Sequence, residues 1–193
     1  MEILITGGNG FLGRNLVLAL QERGDNVRVL ALPKEDTTWL EERDVAVFRG
    51  DILNPDALIT PMLGVEGVFH LAAMIGAWRA MQDYYAVNVT GTEHVCQAAL
   101  EAGVRRLVHI SSAMVYNMAM GRAVTEDDPL EPLDEPYSLT KAQGDMLPSE
   151  SPHSAITGFR PSSRGMVSSS TVQTISSLSI RRAVSWAMRQ RYR

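Results

Sequence analysis

The stretch that most constrains this chain is "TGGNGFLG", Thr6 to Gly13. It follows "EILI", a short apolar run that begins at the second residue, and it opens "FLGRNLVLALQERG". In that segment Leu12, Leu16, Val17 and Leu20 fall on one helical stripe, and Gly24 supplies the stop. Gly7, Gly10 and Gly13 are spaced G-x-x-G-x-x-G, one residue wider at the start than the dinucleotide fingerprint. Glycines in a strand-to-helix turn let backbone N–H groups approach a pyrophosphate and let the helix sit close on the sheet. The phosphate then meets the positive end of the helix dipole. A strand before the loop and an apolar helix after it are the context that marks a nucleotide-binding turn.

The pattern continues for about 150 residues. "NVRVLAL", "VAVFRG", "VEGVFHLAA" and "RRLVHISS" read as further short strands, most of them separated by segments of helical period. "DYYAVNVTGTEHVCQAALEAGV" reads as one helix ending at Gly103. Strands alternating with helices imply an α/β fold with a doubly wound parallel sheet of the Rossmann type, because a right-handed crossover needs a helix to return the chain. A length of 193 residues suits one such domain with a small appendage at most.

Composition narrows the classes further. One cysteine, Cys96, permits no internal disulfide and reads as a small buried apolar residue on its helix. No metal site is expected, and His70 reads as a packed or backbone-bonded histidine rather than a ligand. No apolar run reaches the ~20 residues that span a bilayer, so we expect no membrane partner and a cytoplasmic location. Residues 1–150 carry all 22 acids and 11 of the 18 Lys and Arg; residues 151–193 carry the other seven, all Arg, and no acid. Arginines without clear aromatic interleaving do not make a nucleic-acid surface, so no nucleic-acid partner is expected either.

Beyond the glycine loop, "GDI" at Gly50 to Ile52, "HLAA" at His70 to Ala73, "NVTGT" at Asn88 to Thr92, "SSAMVY" at Ser111 to Tyr116 and "YSLTK" at Tyr137 to Lys141 follow in order. Together these motifs resemble the extended short-chain dehydrogenase/reductases of the NAD-dependent epimerase/dehydratase group, over residues 1 to about 146. The resemblance implies a cofactor site made of Gly7, Gly10, Phe11, Leu12 and Gly13, of Asp51 and Ile52 at the adenine, of Leu71, Ala72 and Ala73 against the ribose and phosphates, and of Asn88, Tyr137 and Lys141. The rival reading of Asp51 is a turn-initiating residue, and that of Asn88, which opens its helix, is an N-cap. The alternative role for Asn88 is a buried amide tying the sheet to the active-site helix.

The chemistry of "YSLTK" supports the same reading. In a helix Tyr137 and Lys141 lie on one face, one turn apart. A phenol is a poor base at neutral pH, and a nearby cation favours its ionised form, so Tyr137 suits a general acid/base for interconverting C–OH and C=O during hydride transfer. The resemblance implies that Lys141 also bonds the nicotinamide ribose and that Ser112 binds and polarises the substrate oxygen. Ser111 reads as structural.

The cofactor is NAD or NADP, with a slight lean to NAD. The positions that would discriminate at the end of the second strand hold Ala31 and Leu32, and neither an acid nor an Arg stands there. Lys34 would meet a phosphate, and Glu35 or Asp36 a hydroxyl, if their loop folds back. The expected partner is a small-molecule substrate, plausibly a nucleotide sugar, with a homodimer through the helices carrying Asn88 and Tyr137 implied by the resemblance. A non-catalytic dinucleotide-binding module is the alternative. "SAITGFRP" resembles the sixth strand and the loop after it, placing the binding domain at 1–161 and a Ser/Arg-rich tail at 162–193. For that tail we weigh a native appendage against truncation or a shifted reading frame, and favour the latter two.

Overall fold

The computed structural model describes residues 1–76, 79–116, 124–125, 128–150 and 171–175, with side chains described only up to residue 147. Six parallel strands form its sheet: β1 (Glu2–Thr6), β2 (Asn26–Ala31), β3 (Ala46–Arg49), β4 (Gly67–His70), β5 (Arg106–Ile110) and β6 (Thr171–Ile175). Their spatial order is β3-β2-β1-β4-β5-β6. The helices are α1 (Phe11–Glu22), α2 (Thr38–Glu41), α3 (Asp56–Met62), α4 (Met81–Tyr85), α5 (Gly91–Glu101) and α6 (Pro136–Glu150). This is the doubly wound arrangement that the alternating apolar segments predict.

The strands β1, β2, β4 and β5 are largely buried, and the alternation of their side chains builds two cores. Ile3, Ile5, Val29, Phe69 and Val108 pack with Leu16, Val17 and Leu20 of α1. Leu4, Leu30, Val68 and Leu107 point the other way and pack with Leu58 and Met62 of α3 and Val95, Cys96 and Ala99 of α5. Cys96 is therefore a core residue, and burial, with Glu93 adding, pushes its thiol up to about 12.

Three local features depart from the sequence reading. The segment read as one helix from Asp83 is α4, then a π-helical turn at Ala86–Thr90, then α5. A four-residue helix, α2, lies between β2 and β3, in a stretch the sequence reading leaves unassigned. The stretch expected to supply the sixth strand, residues 154–161, lies outside the described residues, and β6 comes from the segment set apart as tail.

Strand order reverses between β1 and β4, whose neighbours β2 and β5 lie on opposite sides. In open α/β sheets a ligand binds beyond the carboxyl ends of the strands at such a switch point. The glycine loop leaves β1 and "LAA" leaves β4 at that place.

Candidate active site

Sterics shape the glycine loop. Gly7 has φ +70°, and a Cβ there would lie 2.8 Å from the amide nitrogen of Ala72. The first glycine thus seats the loop directly on the chain leaving β4. At Gly13 a Cβ would lie 2.4 Å from the Gly7 carbonyl oxygen and 2.6 Å from Gly8, so α1 presses against the loop itself. Gly10 differs: a Cβ there meets one atom, the Gly7 oxygen, at an ordinary 3.4 Å. The protein's own packing does not require glycine at position 10, where it stands as the N-cap of α1 and leaves the loop surface open. Next to it, Phe11 at the start of α1 is 90% exposed. This loop and helix N-terminus fit a pyrophosphate group.

The loop after β2 folds back onto this site. Asn9 donates from its side-chain amide to the Asp36 carbonyl at 2.5 Å, while the Arg14 guanidinium donates to the Asn9 carbonyl and side-chain oxygen. Arg14 also lies over the ring of Trp39, 5.0 Å from its centroid. Glu35 is committed to the Leu32 amide, whereas Asp36 is exposed and uses one carboxylate oxygen on the amide and hydroxyl of Thr38. Those contacts, with Arg14 and Arg49 adding, hold its carboxyl below the usual range. Across β3, Asp51 accepts from the Leu53 amide in an Asx turn at 3.0 Å, the local role its position in "GDILNP" suggested. Ile52 is buried in the core beside it.

On the other side of the switch point, Asn88 is buried and lies inside the π-helical turn. Its carboxamide accepts from the Met74 amide at 2.7 Å and donates to the Met74 carbonyl and the Thr140 hydroxyl, both at 3.1 Å. The N-cap reading is therefore incorrect: a helical backbone already runs through Asn88, and its side chain bridges the loop after β4 to α6. The helices meet closely, since a Cβ on Gly144 would lie 2.4 Å from the Asn88 carbonyl oxygen.

Ser112 ends the strand segment and caps a 3-10 turn at Ala113–Val115, accepting from the Met114 amide at 3.2 Å. Tyr137 stands in the first turn of α6, where its amide and that of Ser138 donate to the Glu135 carboxylate at 3.0 and 2.5 Å. Lys141, one turn on, is buried; its ammonium donates to the Ile110 carbonyl at 2.7 Å and lies 3.2 Å from Nε2 of His109. That bond fixes the start of α6 against the end of β5, two residues from Ser112. Burial lowers the pKa of Lys141, and Asp145 opposes the shift.

Several participants escaped the sequence reading. Asp145 lies 3.1 Å from His109 Nε2 and accepts from the Ser111 hydroxyl; burial pushes its carboxyl up to about 6, while Lys141 and Ser111 pull it down. Ser111, expected to be structural, is buried and spends its hydroxyl on Asp145. His70 and His109 are register partners at the ends of β4 and β5, with ring centroids 5.2 Å apart. Both lie well below the usual histidine range, chiefly through burial. Polar residues in otherwise apolar strands were the available signal for this cluster.

Fold and loop together define a dinucleotide-binding α/β protein. The chain belongs to the NAD dependent epimerase/dehydratase family, whose model matches residues 3–161. It is 38% identical over 146 residues to 2-alkyl-3-oxoalkanoate reductase of Stenotrophomonas maltophilia, covering 74% of this chain and 44% of that protein. A short-chain dehydrogenase/reductase superfamily protein from Agrobacterium tumefaciens, solved with bound NAD, shares 38% identity and a TM-score of 0.67, covering 76% of this chain and 44% of that one. DesIV, a dTDP-glucose 4,6-dehydratase from Streptomyces venezuelae solved with NAD, shares 28% identity and a TM-score of 0.72, covering 83% and 57%. The chain thus spans about half the length of the relatives it matches. Among the described residues no helix is long and apolar enough to cross a membrane.

Proposed function

We propose that this chain is the dinucleotide-binding and acid/base half of an NAD(P)-dependent epimerase, dehydratase or reductase acting on a hydroxyl or ketone of a small molecule. The observation that carries the reading is the meeting of two walls at the switch point: the glycine loop seated on Ala72, and α6 pinned by Lys141 to the end of β5 beside Ser112. When bound, the nicotinamide supplies a hydride acceptor or donor. The protein's part is to move the proton and hold the oxygen. Ser112 binds the substrate oxygen through its hydroxyl, and Tyr137 takes the proton from a C–OH or gives it to a C=O. Lys141, one turn along the same helix, supplies positive charge to the site; its buried ammonium would have to leave the Ile110 carbonyl and His109 to bond the ribose.

For the adenosine end we propose that Asp36, rather than a residue at Ala31 or Leu32, accepts from the ribose 2′-hydroxyl, which gives the lean to NAD a physical basis. Its carboxylate would repel a 2′-phosphate. Asp36→Ala should narrow the ratio of NADP to NAD dissociation constants by about tenfold, a difference of about 1.4 kcal/mol; an unchanged ratio removes Asp36 from this role.

The decisive test of the whole reading is Tyr137→Phe. It should abolish turnover while leaving dinucleotide binding within about twofold, and retained turnover would sink the assignment. The substrate panel should hold both 3-oxo acids and nucleotide sugars, because relatives of both kinds match. The rival reading is a dinucleotide-binding module without catalysis. Binding without turnover on any substrate of the panel supports that module. The proposed pairing of two copies through α5 and α6 is checked by light scattering.

A further inference from the structure

The tautomer of His70 is fixed by its neighbours. Thr92 has one hydroxyl hydrogen, and it donates to the Asn88 carbonyl at 2.8 Å. Toward His70 Nε2, 3.1 Å away, that hydroxyl can only accept, so Nε2 carries the proton. The ring is completely buried, and its surroundings hold it neutral, burial first and then His109 and Lys141. A neutral ring protonated at Nε2 has a lone pair at Nδ1, which accepts from the Thr6 hydroxyl at 2.6 Å. The Thr6 oxygen accepts in turn from the Ala72 amide at 3.3 Å.

Five groups therefore form one hydrogen-bond chain of uniform direction: Ala72 N–H to Thr6 O–H to His70 Nδ1, and His70 Nε2–H to Thr92 O–H to the Asn88 carbonyl. Its ends have particular positions. The Ala72 amide is the atom a Cβ on Gly7 would strike, so it belongs to the wall of the glycine loop. The Asn88 carbonyl is the atom a Cβ on Gly144 would strike, so it belongs to the contact with α6, which carries Tyr137. The opposite tautomer would leave the Thr6 hydroxyl hydrogen without one of these acceptors and take the Thr92 hydrogen away from the Asn88 carbonyl, so it makes fewer bonds.

We propose that His70 is a positioning residue: as the Nε2–H tautomer it sets the spacing between the dinucleotide wall at Ala72 and the catalytic-helix wall at Asn88. This rests on reading the glycine loop as a dinucleotide cradle. Nothing in the role requires His70 to touch cofactor or substrate; it acts through Thr6 and Thr92. An imidazole suits it because the two ring nitrogens accept on one side and donate on the other, at a fixed separation. Phe keeps the bulk without either bond, and Gln places an amide N–H near the Nε2 position.

The test pairs nitrogen NMR of the imidazoles with calorimetry of NAD binding on the full chain. The parent His70 should show the Nε2–H pattern unchanged between pH 7.5 and pH 5.5. Thr92→Val, nearly isosteric, should release the tautomer and weaken NAD binding by about three- to tenfold with the near-ultraviolet dichroism retained, since small misplacements of a binding wall are costly. His70→Phe should weaken it by about tenfold or more, and His70→Gln should recover at least half of that loss on a logarithmic scale. An Nδ1–H pattern in the parent overturns the proposal, as does Thr92→Val binding within twofold of the parent, or Gln no better than Phe. If His70→Phe does not fold, Thr92→Val decides alone. A parent that binds neither NAD nor NADP defeats the proposed function first and the coupling with it; a wrong tautomer with intact binding defeats the coupling alone.

Discussion

The glycine loop and α6, the helix carrying Tyr137, are built by different physics. The loop is shaped by excluded volume: Gly7 and Gly13 are places where any side chain would meet backbone within 3 Å. The helix is held by buried polar groups, with Asn88 tied to Met74 and Thr140, and Lys141 to Ile110. A steric device fails abruptly when one carbon is added. A polar network fails in proportion to the partners left without hydrogen bonds.

The largest expected effect lies on the steric side. Gly13→Ala places a methyl 2.4 Å from a carbonyl oxygen of a loop with nowhere to move, and should cost about 3 kcal/mol or more in urea unfolding. A loss under about 1 kcal/mol would mean that the loop yields, and the contrast with the helix would dissolve.

On the polar side, Asn88→Ala removes the partners of the Met74 amide, the Met74 carbonyl and the Thr140 hydroxyl. Unsatisfied buried groups cost about 1–3 kcal/mol each, and Thr140 keeps its own bond to the Pro136 carbonyl, so the two Met74 groups should cost at least about 2 kcal/mol together. Chemical denaturation reads this directly, and Asn88→Asp should recover part of it because the Met74 amide keeps an acceptor.

The same network sets the response to acid. His70 and His109 are held neutral in the fold, so the unfolded chain binds more protons below the ordinary histidine value of 6.5, and stability falls as pH drops through it. Asp145 acts oppositely: with its pKa raised to about 6 from 3.8, the folded state binds its proton first, which offsets one histidine between those values. The net loss near pH 5 is about one proton, or about 1.4 kcal/mol per pH unit. Asp145→Asn should remove the offset and steepen the acid limb of a stability–pH curve; an unchanged limb would show that Asp145 titrates normally.

The smallest effect on stability separates the two kinds of glycine within one loop. Gly10→Ala should cost about 1 kcal/mol or less, since only one atom lies near the added methyl, yet should weaken NAD binding by about tenfold as measured by calorimetry. Equal binding by Gly10→Ala and the parent would mean that position 10 does not face the pyrophosphate.

Much of the binding half was legible in the sequence. Strands such as "EILIT" and the stripe on α1 follow from local period, and a loop shaped by backbone sterics announces itself through glycine. The half around α6 was legible only as residue types. Ordered motifs suggested grouping Ser112, Tyr137 and Lys141, whereas Asp145 lies outside every motif, and Thr6, Thr92 and Thr140, though inside them, show nothing there of their partners. His70 and His109 stand 39 positions apart and become neighbours through strand register. The interruption of the Asn88 helix by a π turn was equally hidden, because "DYYAVNVTGTEHV" satisfies helical period throughout.

By itself the sequence determined the alternation of strands and helices, the two-faced apolar core and the glycine-rich turn between β1 and α1, because each depends on contacts within a few residues. The tertiary structure alone decided the hydrogen bonds of Asn88, the fold-back of Asp36 onto Asn9, and the placing of His70 between Thr6 and Thr92. Each of those is fixed by hydrogen bonds between residues far apart in the chain, and a hydrogen bond has a direction and a length that no local pattern encodes.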